Sequence, residues 1–207
     1  ARDPLLGAAA EGRDHDLGVV GRPTPERAPV WIIARQHPGE TMAEWFVEGL
    51  LERALDPADP VARRLLEAAV LFVVPNMNPD GSVRGNLRTN AAGANLNREW
   101  MTPSLERSPE VFHVRAAMQR TGVDAFLDVH GDEGLPYVFT DGNERLPTYS
   151  PRMAALETGF TTALVAANPD FQTRHGYPSN KETKVNLTVA SKWAGHTYGG
   201  LALTLEM

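Results

Sequence analysis

The sequence Val30-Trp-Ile-Ile-Ala-Arg-Gln-His-Pro-Gly-Glu40 changes abruptly from apolar to polar character. Its first five residues are apolar and mainly β-branched, which predicts a buried strand at residues 30–34. The polar residues that follow predict a loop beyond the carboxyl end of that strand, where open α/β sheets bind ligands. His37 and Glu40 therefore occupy positions at which a functional site is expected.

Short apolar strands and helices alternate along the rest of the chain. Further buried strands are predicted at residues 70–74, 125–129 and 201–205. Helical periodicity and flanking prolines predict helices at residues 41–55, 61–69, 109–121 and 151–167. This alternation is typical of an α/β fold with a mixed, mostly parallel twisted sheet and helices on both faces.

Two segments lack this regularity. Residues 76–100 contain Asn-Pro-Asp-Gly and several further asparagines, which predicts a long ordered loop, and loops of that length are usually functional. Residues 1–29 are rich in Gly, Pro and charge, which predicts an N-terminal loop segment with a short edge strand at residues 16–20. Because the sequence starts within a loop and stops at Met207, directly after an apolar run, we expect it to be part of a longer protein.

The composition limits the kinds of site and partner. The 207 residues include no cysteine, so a metal must be held by histidine and carboxylate, and this absence fits a reducing, cytoplasmic location. The net charge of −6 disfavours nucleic-acid binding. No apolar run reaches the roughly 18 residues that indicate a membrane span, and no secretion signal is visible in residues 1–16, which are polar.

Four residues with metal-binding or acid–base side chains follow predicted strands: His37, Glu40, His130 and Glu206. Two imidazoles and one carboxylate suit Zn²⁺ and leave one coordination position for water. Glu206, at the end of a buried strand, fits a general base beside such a water. Taken alone, each residue also fits a structural role, such as a solvated histidine or a carboxylate paired with arginine. The second ring nitrogen of His130 is expected to contact one of three carboxylates: Asp128, Asp132 or Glu133.

The long loop adds Arg88, Asn97 and Arg98 to this set. A guanidinium group is a planar fork that matches a carboxylate, and a second one can stabilise an oxyanion. Without the neighbouring metal ligands, solvated arginines would be the better interpretation.

Several blocks of sequence together resemble one known family. They are His37-Pro-Gly-Glu40, Asn78-Pro-Asp-Gly81, Gly85-Asn-Leu-Arg88, Asn95-Leu-Asn-Arg98, His130 and Thr204-Leu-Glu206. The sequence resembles the zinc carboxypeptidases of the M14 type, and most closely the cytosolic carboxypeptidase branch and its bacterial relatives. The blocks occur in the order of that family, from about residue 30 to residue 207.

This resemblance implies the fold and the catalytic residues. It implies a mixed sheet of about eight strands between helices. It implies one Zn²⁺ held by His37, Glu40 and His130, with Glu206 as the general acid and base. Arg88 matches the arginine that polarises the scissile carbonyl.

The resemblance also implies how substrate binds. Asn97 and Arg98 match the pair that grips the terminal carboxylate. Tyr177 is a candidate for the tyrosine that closes over the substrate, whereas Tyr198 is expected to be structural. Lys192 lies near the expected specificity pocket, where it would favour acidic C-terminal residues; the preferred interpretation is a surface lysine.

The expected function is therefore hydrolysis of the C-terminal peptide bond of a peptide or protein. Two alternatives share the metal arrangement: a zinc deacylase of N-acyl amino acids, and a non-catalytic module that binds C-terminal tails. Residues 30–207 are expected to form the catalytic domain, and residues 1–29 a remnant of the N-terminal β domain of this branch. The expected partner is a peptide C-terminus, not nucleic acid or membrane. The remaining histidines are interpreted as non-ligands: His15, His113, His175 and His196.

Overall fold

The computed structural model describes residues 5–178 and 185–207. Within these ranges the chain forms eight strands and six α-helices. The strands are β1 (Leu5–Ala8), β2 (Asp14–Asp16), β3 (Gly18–Val20), β4 (Ala28–Ala34), β5 (Ala69–Val74), β6 (Ala125–Val129), β7 (Phe139–Asp141) and β8 (Leu201–Glu206). The helices are α1 (Met42–Leu55), α2 (Pro60–Ala68), α3 (Pro79–Arg84), α4 (Pro109–Thr121), α5 (Pro151–Ala167) and α6 (Ala190–Tyr198).

Six strands form the main sheet, in the order β3-β5-β4-β6-β8-β7. The four inner strands run parallel to one another, and the edge strands β3 and β7 are antiparallel to their neighbours. The expectation of a mixed, mostly parallel sheet is confirmed. In the described part of the chain the main sheet has six strands rather than the roughly eight expected, and β1 and β2 form a separate antiparallel pair.

Helices cover both faces of this sheet. Successive side chains of a strand point to opposite faces, so the side chains of β4 divide between two hydrophobic clusters. Trp31 and Ile33 pack in the cluster that contains residues of α4 and α6. Ile32 packs in the other cluster, against residues of α1. The expected covering of both faces is therefore confirmed, and the inner strands are apolar because both their faces are buried.

Four helices begin with proline in their first turn: α2, α3, α4 and α5. Polar side chains cap three of them. Asp59 accepts hydrogen bonds from two amides of α2, Ser150 accepts one from α5, and Asn78 accepts one from α3. None of the helices in the described residues has the length and apolar character that a membrane crossing requires.

The irregular segments differ in part from the predictions. The predicted loop over residues 76–100 contains helix α3 and a 3₁₀ turn at Leu96–Arg98. The edge strand predicted near residues 16–20 is divided between β2 and β3, and β3 is the one that joins the main sheet. Helix α6 and strand β7 were not predicted. Ser191, Lys192 and Gly195 interrupt the apolar period of α6, and β7 is only three residues long.

Candidate metal centre and active site

The parallel strands β4, β6 and β8 bring their carboxyl ends to one edge of the sheet. His37 and Glu40 lie in the loop between β4 and α1, and His130 directly follows β6. Glu206 is the last residue of β8, and the amide of His130 donates a hydrogen bond to the carbonyl oxygen of Leu205 at 2.8 Å. The sheet topology thus gathers residues that are far apart in sequence.

The side chains of His37, Glu40 and His130 converge on one point. Glu40 Oε1 lies 2.6 Å from His37 Nδ1, and Glu40 Oε2 lies 2.7 Å from His130 Nδ1. The two Nδ1 atoms are 3.2 Å apart, and all three side chains are buried. Zinc bonds of about 2.0–2.1 Å in a tetrahedron separate neighbouring ligand atoms by about 3.3 Å, a separation that the two Nδ1 atoms match, whereas the Glu40 oxygens lie closer, at hydrogen-bond distance. Two imidazoles and one carboxylate that face one point suit Zn²⁺ and leave one position open.

The outer ring nitrogens of both histidines are held by polar side chains. His37 Nε2 lies 3.1 Å from Asn95 Oδ1, and His130 Nε2 lies 2.9 Å from Asp128 Oδ2. Of the three carboxylates considered for His130, the structure selects Asp128. The role of Asn95 was missed, although it lies in the Asn95-Leu-Asn-Arg98 block. Such contacts orient the rings and leave Nδ1 to face a metal.

The pKa values of Glu40, His130 and Glu206 are each shifted from their ordinary values, in directions set by their surroundings. Burial raises the pKa of Glu40, but hydrogen bonds with His130 and His37 outweigh burial and lower that pKa to about 2. Burial also opposes the charge of His130, yet the neighbouring carboxylates of Asp128 and Glu40 raise its pKa well above the ordinary value. For Glu206, burial dominates and raises the pKa to about 7. A carboxyl group with such a pKa can exchange protons near neutrality.

A cavity of about 470 Å³ opens beside the three candidate ligands. All eight residues predicted for the site line it: His37, Glu40, Arg88, Asn97, Arg98, His130, Tyr177 and Glu206. Arg88 Nη1 lies 4.0 Å from Glu40 Oε1, and about half of the Arg88 side chain is exposed. Arg98 Nη1 donates to the carbonyl oxygen of Asn97 at 2.6 Å, and burial, with the charge of Arg88, lowers the pKa of Arg98.

Two further polar contacts shape the cavity wall. Asn97 Oδ1 accepts a hydrogen bond from the amide of Ala190 at 2.8 Å, which fixes the start of α6 beside the site. The hydroxyl of Tyr177 lies 2.8 Å from Glu206 Oε1 and 2.9 Å from Asp132 Oδ2. Tyr177 therefore reaches the candidate general base, and its ring packs edge-on against Phe139.

Lys192 also lines the cavity and is only 9% exposed, so its interpretation as a surface lysine is wrong. Its Nζ atom pairs with Asp141 Oδ2 at 2.8 Å and donates to the carbonyl oxygen of Gly142. No local feature of the sequence indicates this pairing, since both partners lie about 50 positions earlier in the chain. Tyr198, in contrast, packs against the core, as expected.

No second group of three or more candidate metal ligands occurs among the described residues. An α/β sheet that gathers two histidines and a glutamate at one edge, with Glu206, Arg88 and Arg98 in the same cavity, defines a metallohydrolase type of site. The sequence profile of the zinc carboxypeptidase family (Peptidase_M14) matches residues 5–207, and the chain belongs to that family.

Solved structures agree with this assignment. A metallo-carboxypeptidase from Burkholderia cenocepacia, known from a crystal structure, is 55% identical in sequence to this chain. Its fold matches with a TM-score of 0.97, over 100% of this chain and 56% of the Burkholderia chain. A metallo-carboxypeptidase from Pseudomonas aeruginosa, in complex with (2-guanidinoethylmercapto)succinic acid, is 53% identical with a TM-score of 0.93, covering 97% of this chain and 53% of that one.

The resemblance to the cytosolic branch is also confirmed. Human cytosolic carboxypeptidase 4 is 37% identical over 143 residues, which are 66% of this chain and 12% of the human protein. This chain spans only about half the length of the bacterial relatives that it matches.

Proposed function

We propose that this protein is a zinc-dependent carboxypeptidase that hydrolyses the C-terminal peptide bond of peptides or proteins. The observation that supports this most strongly is the convergence of His37 Nδ1, the Glu40 carboxylate and His130 Nδ1 within 2.6–3.2 Å of one another. The convergence lies in the same cavity as Glu206 and Arg98. The chain belongs to a family described as zinc carboxypeptidases, which agrees with this donor set.

One Zn²⁺ is the proposed cofactor, with His37, Glu40 and His130 as its ligands. The two nitrogens and one carboxylate suit zinc, and the cavity gives access to the open position. When bound, zinc supplies Lewis-acid chemistry: it polarises a carbonyl and lowers the pKa of a bound water toward about 7.

Glu206 is the proposed general base and acid. Because burial raises its pKa to about 7, its carboxylate can take the proton of the water that attacks the last peptide carbonyl. The same carboxyl group then delivers a proton to the leaving amine. Arg88, half-exposed at the cavity wall, donates hydrogen bonds to the oxyanion that forms on the carbonyl oxygen.

Arg98 and Asn97 are the proposed binding site for the free C-terminal carboxylate. The contact between Arg98 Nη1 and the carbonyl of Asn97 fixes the guanidinium group, which has five N–H donors in total. Tyr177 is proposed to close over the bound substrate. The Pseudomonas relative holds a succinic acid derivative, a ligand with carboxylate groups such as these residues would recognise.

The wider assignment is also part of this proposal. Residues 30–207 form the catalytic domain, with residues 1–29 as an N-terminal segment that includes the edge strand β3. A cytoplasmic location is supported by the lack of cysteine and by the similarity to a cytosolic carboxypeptidase. Free peptide C-termini, rather than nucleic acid or membrane, are the proposed partners.

Matched peptides test the proposal. With zinc present, the protein is expected to cleave the last residue from a peptide with a free C-terminus and to leave the C-terminally amidated peptide intact. Equal cleavage of both would contradict carboxylate recognition. Faster hydrolysis of N-acyl amino acids would identify a deacylase, and binding without substrate depletion would identify a non-catalytic module.

A further inference from the structure

We infer that Gln36 and Trp100 orient His130 through Asp128 and thereby strengthen zinc binding at the proposed metal centre. This inference rests on the proposed function. Gln36, Trp100 and Asp128 are each 0% exposed, and none of them lines the cavity. They are positioning residues, because they act on the metal ligand rather than on the substrate.

The buried Gln36 directly follows a residue with an unusual backbone conformation, Arg35. Arg35 has a φ of 57°, and it is the one non-glycine residue in the described ranges with positive φ. Its Nε donates to the carbonyl oxygen of Pro38 at 2.9 Å, and its guanidinium pairs with Glu44. A disfavoured conformation that is held this firmly beside a site suggests that the adjacent side chain has a role.

The orientation of the Gln36 amide follows from the chemistry of its neighbours. Trp100 Nε1 lies 2.8 Å from Gln36 Oε1, and an indole nitrogen can only donate. The carbonyl oxygen of Gln36 must therefore face Trp100. The amide nitrogen then faces Asp128, and it lies 2.9 Å and 2.8 Å from the two carboxylate oxygens.

The same reasoning extends to His130. Both Asp128 oxygens already accept from the amide nitrogen of Gln36, so His130 Nε2, at 2.9 Å from Asp128 Oδ2, is the donor in their contact. His130 Nδ1 lies 2.7 Å from Glu40 Oε2 and 3.2 Å from His37 Nδ1, so this nitrogen, and not Nε2, is directed at the candidate metal position. The donors therefore run in one direction, from Trp100 through Gln36 to Asp128, and they fix which nitrogen of His130 faces the metal.

Asn78 anchors the backbone of this chain of contacts. Its Nδ2 donates to the backbone carbonyl oxygen of Gln36 at 3.0 Å, and its Oδ1 caps helix α3. The loop that carries the candidate substrate-binding arginines is thus connected to the residue that sets the position of Asp128. A purely structural role for Gln36 would satisfy buried polar groups without any effect on zinc.

Zinc affinity separates the two roles. The variants are Gln36→Met, Asp128→Asn and Trp100→Phe, and the control is Trp31→Phe. Trp31 is equally buried, and its Nε1 donates to Thr121 Oγ1 at 3.1 Å, away from the site. Chelator competition gives the zinc dissociation constant of each purified protein. Zinc release into excess chelator is then followed on folded, zinc-loaded protein, and thermal unfolding of the metal-free form reports stability separately.

We expect Gln36→Met and Asp128→Asn to bind zinc about 10- to 100-fold more weakly, the usual effect of losing a partner of a metal-ligating histidine. Trp100→Phe should show a smaller loss, and Trp31→Phe should bind as the wild type does. Wild-type zinc affinity in Gln36→Met and Asp128→Asn would overturn the inference, as would an equal loss in Trp31→Phe. If Gln36→Met does not fold, the comparison of Trp100→Phe with Trp31→Phe decides. A wild-type protein that binds no zinc would instead contradict the proposed function.

Discussion

Removing the hydroxyl of Tyr177 should raise the pKa of Glu206 and move the acid limb of the pH profile upward. The hydroxyl lies within hydrogen-bond distance of both Glu206 and Asp132, but it carries one hydrogen and donates to one carboxylate at a time. A donated hydrogen bond stabilises the ionised carboxylate. Its loss therefore raises the pKa of Glu206 above the value of about 7 that burial already produces.

The size of the shift follows from the geometry. A hydrogen bond to a charged group contributes about 1.5–3 kcal/mol. Because the Tyr177 hydroxyl divides its hydrogen bond between two carboxylates, about half of this free energy, about 0.7–1.5 kcal/mol, acts on Glu206. At about 1.36 kcal/mol per pKa unit, the expected shift in the pKa of Glu206 is about 0.5–1 unit. Bound zinc lowers the pKa of Glu206 in the wild type and in Tyr177→Phe alike, so the difference between the two proteins is the quantity to compare.

The assay is kcat/KM against pH, whose acid limb reports the free enzyme. Because the general base must be deprotonated, Tyr177→Phe should lose activity at a higher pH than the wild type. Tyr198→Phe is the matched control, since the Tyr198 hydroxyl is buried with no hydrogen-bond partner among the described residues. An acid limb that stays in place, or that moves to lower pH, would refute the contact between Tyr177 and Glu206.

Four further outcomes are expected. Glu206→Gln should retain one zinc per chain by elemental analysis but lower kcat by about 10²- to 10⁴-fold, the usual contribution of a general base; near-normal turnover would exclude the assignment. Arg98→Ala should raise KM for peptides with a free C-terminus, and an unchanged KM would place carboxylate binding elsewhere. In urea unfolding, Gly81→Ala should lower the free energy of unfolding by about 1–3 kcal/mol through overpacking, because the added Cβ would lie 2.7 Å from the carbonyl oxygen of Thr89. Gly49 lies in α1, and a Cβ added there would meet no atom within 4 Å, so Gly49→Ala should raise the free energy of unfolding by about 0.5–1 kcal/mol. The opposite order of these two effects would contradict the packing.

The inner sheet could be predicted from sequence because its strands are buried on both faces. The apolar runs predicted at residues 70–74 and 201–205 correspond to strands β5 and β8, and each prediction is one residue shorter than the strand. Parallel strands that are covered by helices read as continuous apolar runs, and this signal is local. Since parallel neighbours end at the same edge, the grouping of His37, His130 and Glu206 followed from the strand assignments alone.

The contacts around these residues could not be predicted, because they join distant parts of the chain. Gln36 and Asp128 are separated by 92 positions, and nothing local to either residue indicates the pairing. The choice of Asp128 over Asp132 as the partner of His130 likewise depends on tertiary packing. Helix α3 was missed for a different reason: it has only six residues, and its Asn-Pro start and glycine end also fit a turn.

Anomalous diffraction at the zinc edge, from crystals of the protein purified with zinc, tests the central claim most directly. We expect one anomalous peak per chain, about 2.0–2.1 Å from the Nδ1 atoms of His37 and His130 and bonded to the Glu40 carboxylate. A peak bonded to the Nε2 atoms, or at a position away from these three side chains, would contradict the account.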